Sequence, residues 1–220
     1  MPEIVLASRS PRRQELLAGL GLVFAVDAAE VDESPRPGEP AAAMAARLSR
    51  LKAAVVAPRH PAAFVLAADT VVALDGVIFG KPADDAEAVA MLGALRGRTH
   101  LVHTAITLAY GGALRTEVST SAVTMRHYGD AEIASYVATG DPLDKAGAYA
   151  IQHPIFSPVA SWDGCYAGIM GLPLGLVGEM LAAAGVAVSV DVAAACRRVT
   201  GVRCCLDPSH KKGFQADGTI

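Results

Sequence analysis

The chain has 220 residues, 52% of them hydrophobic, 19% charged and 5% aromatic, with a formal net charge of −3. That length buries a full core without disulfide or metal staples, and the composition excludes wholesale disorder. The slightly acidic balance excludes a dedicated nucleic-acid binder, and the scarcity of aromatics leaves the core to Ala, Val, Leu and Ile.

Glu3 to Ala7 is short and apolar and predicts a buried strand. Ser10-Pro11 offers an N-cap with proline at the first helical position, and Leu16, Leu17 and Leu20 give a helical apolar face closed by Gly21. Leu22 to Val26 reads as a second strand and Ser34 to Pro40 as a proline-rich loop. Met44, Leu48, Leu51 and Val55 recur at helical spacing, which predicts a long helix from Ala41 to Ala57.

Phe64 to Ala68 reads as a third strand, and Thr70 to Leu74 with Val77 to Phe79 form a hairpin around Asp75-Gly76. Asp84 and Asp85 open a helix with Ala88, Met91, Leu92 and Leu95 on one face. A second hairpin joins Thr99 to Tyr110 and Leu114 to Met125 through Gly111-Gly112. A helix over Asp130 to Thr139 ends at Gly140, and a third hairpin is predicted for Phe156 to Trp162 and Cys165 to Met170 around Asp163-Gly164. Leu172 to Ala184 is the last predicted helix. This mixture of βαβ-like and hairpin units predicts an α/β fold, a mixed twisted sheet with flanking helices.

The apolar periodicity stops at Gly185. Residues 1–185 therefore read as one domain and residues 186–220 as a C-terminal extension, disordered from Ser209 to Ile220. A chain cut after Gly185 is expected to keep fold and activity. No apolar run reaches the roughly 20 residues of a membrane span; the richest, Phe64 to Phe79, is interrupted by Asp69 and Asp75. The start, Met1-Pro2-Glu3, has no basic leader before an apolar stretch, so a cytoplasmic location is expected. The four cysteines, Cys165, Cys196, Cys204 and Cys205, form no disulfide framework. Cys196, Cys204, Cys205 and His210 could be drawn as a zinc site, but adjacent cysteines fit that spacing poorly.

Basic residues are unevenly chosen: 14 of 19 are Arg, and Lys52, Lys81 and Lys145 are the only lysines before the tail pair Lys211-Lys212. The run Ser8-Arg9-Ser10-Pro11-Arg12-Arg13 lies at a strand-to-helix junction. It reads either as an anion cradle, with two hydroxyls and guanidiniums at a helix N-terminus, or as a serine cap followed by surface arginines. Ala68-Asp69-Thr70 places a carboxylate at the end of an apolar strand, where it lines a ligand crevice or caps a turn. Gly80-Lys81-Pro82 follows a hairpin, Glu30 to Glu33 is an acidic cluster suited to a hard divalent cation or to a solvated turn, and Asp144 to Tyr149 with Gln152 adds a lysine and an amide. Together these have the makings of a nucleotide site, although no Walker A or dinucleotide glycine pattern occurs.

Leu6-Ala7-Ser8 through Glu15-Leu16-Leu17, Ala68-Asp69-Thr70-Val71-Val72, Gly80-Lys81-Pro82, Asp144-Lys145-Ala146-Gly147-Ala148-Tyr149 and Gly171-Leu172-Pro173-Leu174 resemble, in order, the motifs of the Maf family. The resemblance covers about residues 3 to 185. It implies a fold similar to inosine triphosphate pyrophosphatases, with two lobes around a cleft. It also implies house-cleaning hydrolysis of a nucleoside triphosphate between the α and β phosphates, with a divalent metal, Mg or Mn. By the same resemblance Asp69 is the proton acceptor, and Ser8, Arg13, Glu33, Lys52 and Lys81 match polar cleft positions; the charge that a triphosphate brings makes Glu33 the expected second carboxylate beside Asp69, for metal or water. Arg12, Thr70 and Gln152 match the pattern of the subgroup that prefers dTTP and UTP, where the 7-methyl-GTP subgroup carries Trp, Gln and Glu. Ala150, His153 and Gly168 depart from the usual residues and bear on specificity more than on the reaction. Two alternatives stay open: a non-catalytic nucleotide or cell-division binding protein, and a 7-methyl-GTP-type pyrophosphatase. The expected partner is the triphosphate, with no nucleic acid and no membrane; a homodimer is left open.

Overall fold

The computed structural model describes residues 3–207 and the short strand Phe214–Gln215. In chain order the elements are β1 (Ile4–Leu6), α1 (Pro11–Gly19), β2 (Ala25–Val26), α2 (Ala41–Val56), β3 (Phe64–Leu74) and β4 (Val77–Phe79). There follow α3 (Asp85–Leu95), β5 (Thr99–Tyr110), β6 (Ala113–Met125), α4 (Asp130–Val137), β7 (Val159–Asp163), α5 (Tyr166–Ile169), α6 (Leu174–Ala183), α7 (Val192–Thr200) and β8 (Phe214–Gln215). The sheet order is β2-β1-β3-β5-β6-β7-β8, with β4 also paired to β3. β1 runs parallel to β2 and β3, and the remaining pairs are antiparallel. This is the expected α/β fold with a mixed sheet.

β3 organises the molecule. One of its edges pairs continuously with β5 from Val65 to Ala73. The other is shared: β1 covers Phe64 to Leu66, and β4 covers Val72 to Leu74. Between these two short neighbours no strand among the described residues lies beside the edge around Asp69 and Thr70. The chain leaving β1 becomes the Ser8–Arg13 junction, and the chain leaving β4 becomes Gly80-Lys81, so both run into that gap from opposite sides.

Side-chain alternation along a strand then sorts the surroundings. Val65, Ala67 and Val71 pack under α2, with Met44, Leu48, Ala53 and Val56. On the other face Phe64, Leu66 and Ala68 join one core with α1 and α6, while Val72 and Leu74 join a second with α3, α4 and β7. Thr70 lies between those two cores, and the cleft opens where they meet.

Several elements differ from the sequence expectation. Phe64–Leu74 is a single strand, because Asp69 has a buried partner and does not break it. Only Ala25–Val26 of the second predicted strand pairs with the sheet, since β1 offers just three residues to pair with. The Asp163-Gly164 hairpin does not form. Gly164 adopts φ +111°, where a Cβ would sit 2.7 Å from Ser121 Oγ. The same Ser121 Oγ accepts the Cys165 N–H at 2.9 Å, and the chain turns into the single-turn α5 capped by the Cys165 sulfur.

Residues 186–207 are not an appendage of the described fold. Asp191 caps α7 through its side chain, which accepts the Ala194 N–H at 2.9 Å. Ala195 and Cys196 of α7 and the following Cys204 are buried in the core shared with α1 and α6. The approach is close: a Cβ on Gly19 would lie 2.4 Å from Val199 Cγ2, and one on Gly175 2.9 Å from Leu206 Cδ1. The helix escapes a periodicity reading because its buried face is built from Ala, Cys and Val. The disorder expected for Ser209 to Ile220 falls outside the described residues, apart from the backbone of β8. Among the described residues no helix is long and apolar enough to cross a membrane.

Candidate active site

The gap beside β3 is the floor of a cleft of about 600 Å³. All nine residues singled out from the sequence, Ser8, Arg12, Arg13, Glu33, Lys52, Asp69, Thr70, Lys81 and Gln152, line it. The three lysines that precede the tail, Lys52, Lys81 and Lys145, do too.

Asp69 points to the α2 side of β3 and is 6% exposed. Lys52, from the buried face of α2, places its Nζ 2.5 Å from Asp69 Oδ1 and 2.6 Å from Glu33 Oε1. Lys81 Nζ stands 3.7 Å from the other Glu33 oxygen. Two carboxylates thus converge on one ammonium at the cleft floor. Burial raises the Asp69 pKa, and the charges of Lys52 and Arg13 only partly oppose that rise. For Glu33 burial also works upward, but the hydrogen bond and charge of Lys52, with Lys81 and Arg13, win and leave its pKa lowered.

On the opposite face the same strand makes a neutral scaffold. Thr70 Oγ1 is 3.0 Å from Thr104 Oγ1, its register partner on β5, and Thr104 Oγ1 donates to the Gly168 carbonyl at 2.8 Å. Arg13 spans the cleft wall: Nε donates to the Gly171 carbonyl at 3.0 Å, one terminal nitrogen to Ser8 Oγ at 3.3 Å and the other to Thr70 Oγ1 at 3.2 Å. Burial lowers the Arg13 pKa, opposed by Asp69 and Glu33; an arginine stays charged regardless. Arg13 sits in the first turn of α1, whose Ser10 cap and Pro11 start match the sequence reading. The helix dipole and the guanidinium therefore favour an anion at one place.

Lys145 has other work. It is 8% exposed, and its Nζ donates to the Asp141 carbonyl at 2.5 Å, to Asp141 Oδ1 at 2.9 Å and to Asp144 Oδ1 at 2.6 Å. It clamps the loop that leads to Gln152. The cleft lining also includes Phe79, Tyr149, Ile151, Met170 and Gln152. Tyr149 is in turn held by buried His100, whose Nε2 is 2.7 Å from its hydroxyl.

Sequence reasoning missed the Gly171 carbonyl, Thr104 and His100. The one available signal was the polar residues set into the apolar strand β5, which period-2 patterning places inward.

A concave site lined by six Lys and Arg side chains, with a buried carboxylate on its floor and apolar and amide side chains in the same lining, is suited to a phosphorylated, ring-bearing ligand. The family model described as Maf-like protein matches residues 3–184, and the chain belongs to that family. A dTTP/UTP pyrophosphatase of Myxococcus xanthus is 52% identical over 182 residues, 83% of this chain and 92% of that protein. One of Thermomicrobium roseum is 49% identical over 187 residues, 84% of this chain and 86% of that protein. Among solved structures, the Staphylococcus aureus Ham1 protein aligns with 83% of this chain and 99% of that chain at 16% identity and a TM-score of 0.49.

Proposed function

We propose that this chain hydrolyses nucleoside triphosphates, with dTTP and UTP preferred, to the nucleoside monophosphate and pyrophosphate, as a house-cleaning activity. The carrying observation is the pairing of buried Asp69 with Lys52 at the floor of a cleft that also gathers Arg12, Arg13 and Lys81. A triphosphate brings about four negative charges, and a preorganised cationic wall lowers the cost of adding more in the transition state. Asp69 is the proton acceptor for the attacking water: its burial-raised pKa makes it a stronger base than a surface aspartate. Arg13, fixed by three hydrogen bonds, holds the phosphate chain against that floor.

The donor set suits a divalent cation of the magnesium type, which takes one or two carboxylates and completes its shell with water and phosphate oxygens. Asp69 and Glu33, which converge on Lys52 Nζ, would supply those two. Water and substrate phosphate oxygens would complete the shell. When bound, Mg or Mn supplies further positive charge to the phosphate oxygens.

The base would lie against apolar lining residues such as Phe79, Tyr149, Ile151 and Met170, with the Gln152 amide offering a donor and an acceptor to the O4 and N3–H edge of thymine or uracil. The test is a turnover panel of dTTP, UTP, CTP and 7-methyl-GTP with product identification, on the native chain and on Gln152→Glu. The native chain is expected to release pyrophosphate fastest from dTTP and UTP. The variant should lose about 1–3 kcal/mol of transition-state binding on those two only. Equal losses on every triphosphate would leave Gln152 a loop anchor, and no pyrophosphate from any would return the chain to a binding role.

A further inference from the structure

The cleft floor carries its own cations before any ligand arrives. Lys52 Nζ lies 2.5 Å from Asp69 Oδ1 and 2.6 Å from Glu33 Oε1, so one ammonium holds both carboxylates. Lys81 Nζ adds a positive charge 3.7 Å from the other Glu33 oxygen, and the charge of Arg13 acts on both acids. Two negative and three positive groups therefore meet there. Lys52 and Asp69 are 8% and 6% exposed, so water screens that pair poorly.

The two carboxylates suited to a divalent cation are the two that Lys52 engages. A cation arriving alone would raise the floor from about one net positive charge to about three, where like charges repel strongly. It would also have to part each acid from its ammonium. A triphosphate brings about four negative charges, so cation and triphosphate together leave the same floor near neutrality.

The residue type agrees. Arg fills 14 of the 19 basic positions of the chain, yet position 52 is Lys. A guanidinium would grip the carboxylates through a rigid fork, whereas an ammonium is a point charge on a flexible stem that can let go. Arg12, Arg13 and Lys81 line the same cleft, so phosphate oxygens gathered by them would receive the released ammonium.

We propose that Lys52 is a resident counter-cation that keeps Asp69 and Glu33 from taking a divalent metal until a triphosphate arrives. The ammonium passes from the carboxylates to a phosphate oxygen as nucleotide and metal enter together. By linkage, metal tightens triphosphate binding by the same factor as triphosphate tightens metal binding. The inference rests on the metal-assisted hydrolysis proposed above and adds an order of binding set by one side chain.

The experiment titrates Mn²⁺ into the full chain without nucleotide and reads free metal from its electron paramagnetic resonance signal. The native chain is expected to leave most of the metal free when the two are mixed in equal micromolar amounts. Lys52→Gln keeps an N–H donor but no charge, and should bind Mn²⁺ at least about tenfold more tightly. Lys52→Arg keeps the charge and should bind it no better than the native chain. Lys81→Gln removes a half-exposed charge from one side of Glu33 and should gain less than about threefold. Calorimetry should show the α,β-imido analogue of dTTP binding the native chain at least about tenfold more tightly with Mn²⁺ than without. Stoichiometric Mn²⁺ on the native chain alone, a folded Lys52→Gln with unchanged affinity, or analogue binding indifferent to Mn²⁺ would overturn the proposal. Should Lys52→Gln fail to fold, the two native titrations decide: weak binding of each alone and tight binding together support it, and stoichiometric metal alone overturns it. Pyrophosphate release from dTTP in chelator would strike the metal reading, and no release under any condition the pyrophosphatase reading. The Mn²⁺ affinities would still decide the role of Lys52.

Discussion

Asp69 and Thr70 are neighbours in one strand, yet their side chains leave on opposite faces of the sheet and enter unlike surroundings. Asp69 meets charge: one lysine shared with a second carboxylate, in a place where burial has already raised its pKa. Thr70 meets neutral hydrogen bonds that run through Thr104 to a carbonyl and through Arg13 to another. In the proposed reaction the first face holds or moves a proton, and the second keeps a guanidinium in place. Alternation along a strand is what keeps the two tasks 180° apart while their atoms reach the same cleft.

The comparison can be broken by undermining the Thr70 face from behind. Truncation after Gly185 removes α7 and Leu206 from the core that supports α1 and α6. At about 1.5–3 kcal/mol per buried aliphatic side chain, the loss should reach at least about 3 kcal/mol. Thermal denaturation should fall by roughly 10 °C in a chain of this size. An unshifted melting temperature would restore the tail to a dispensable extension.

A smaller effect sharpens the positioning role. Arg13→Lys keeps the charge but cannot make three bonds in a fixed fork. It should raise the dTTP KM, lowering kcat/KM about 30-fold, roughly 2 kcal/mol. A change in kcat alone would move Arg13 to the reactive side of the comparison.

The smallest effect concerns the buried histidine behind Tyr149. Burial lowers the His100 pKa from 6.5 to about 4, and its Nδ1 is a buried atom with no hydrogen-bond partner. The unfolded chain takes up a proton there near pH 6.5 while the folded chain does so only near pH 4. The stability that neutral His100 carries is therefore complete above about pH 6.5 and is lost as pH falls toward 4. Between pH 7 and pH 5 this is worth about 1–2 kcal/mol. Urea titrations at the two pH values should show that much less acid destabilisation in His100→Gln, which can still bond Tyr149.

How much of this was legible depended on the range of the interactions. The Asp75-Gly76 hairpin reads directly, because both residues take positive φ, 50° and 81°, and the sequence supplies residues that tolerate it. Asp69 and Lys52 were legible by contrast, as a carboxylate in an apolar strand and a rare lysine in an arginine-rich chain. Arg13 was visible as a cation at a helix start, but its anchor on Gly171 is 158 residues away. The single turn of α5 is fixed by Ser121 and a glycine that fits against it, so local propensity pointed to a strand. α7 was invisible because small residues against glycines on α1 and α6 leave little hydrophobic period.

The central claim is that Asp69 does the chemistry and Thr70 the positioning. Single-turnover kinetics and equilibrium binding of dTTP to Asp69→Asn, with Thr70→Val alongside, test it most directly. The account predicts that Asp69→Asn loses about 10³-fold or more in rate while still binding triphosphate, and that Thr70→Val loses less than about tenfold. Asp69→Asn turnover within about tenfold of the native chain, a barrier change near 1.4 kcal/mol, would contradict it and pass the proton to Glu33.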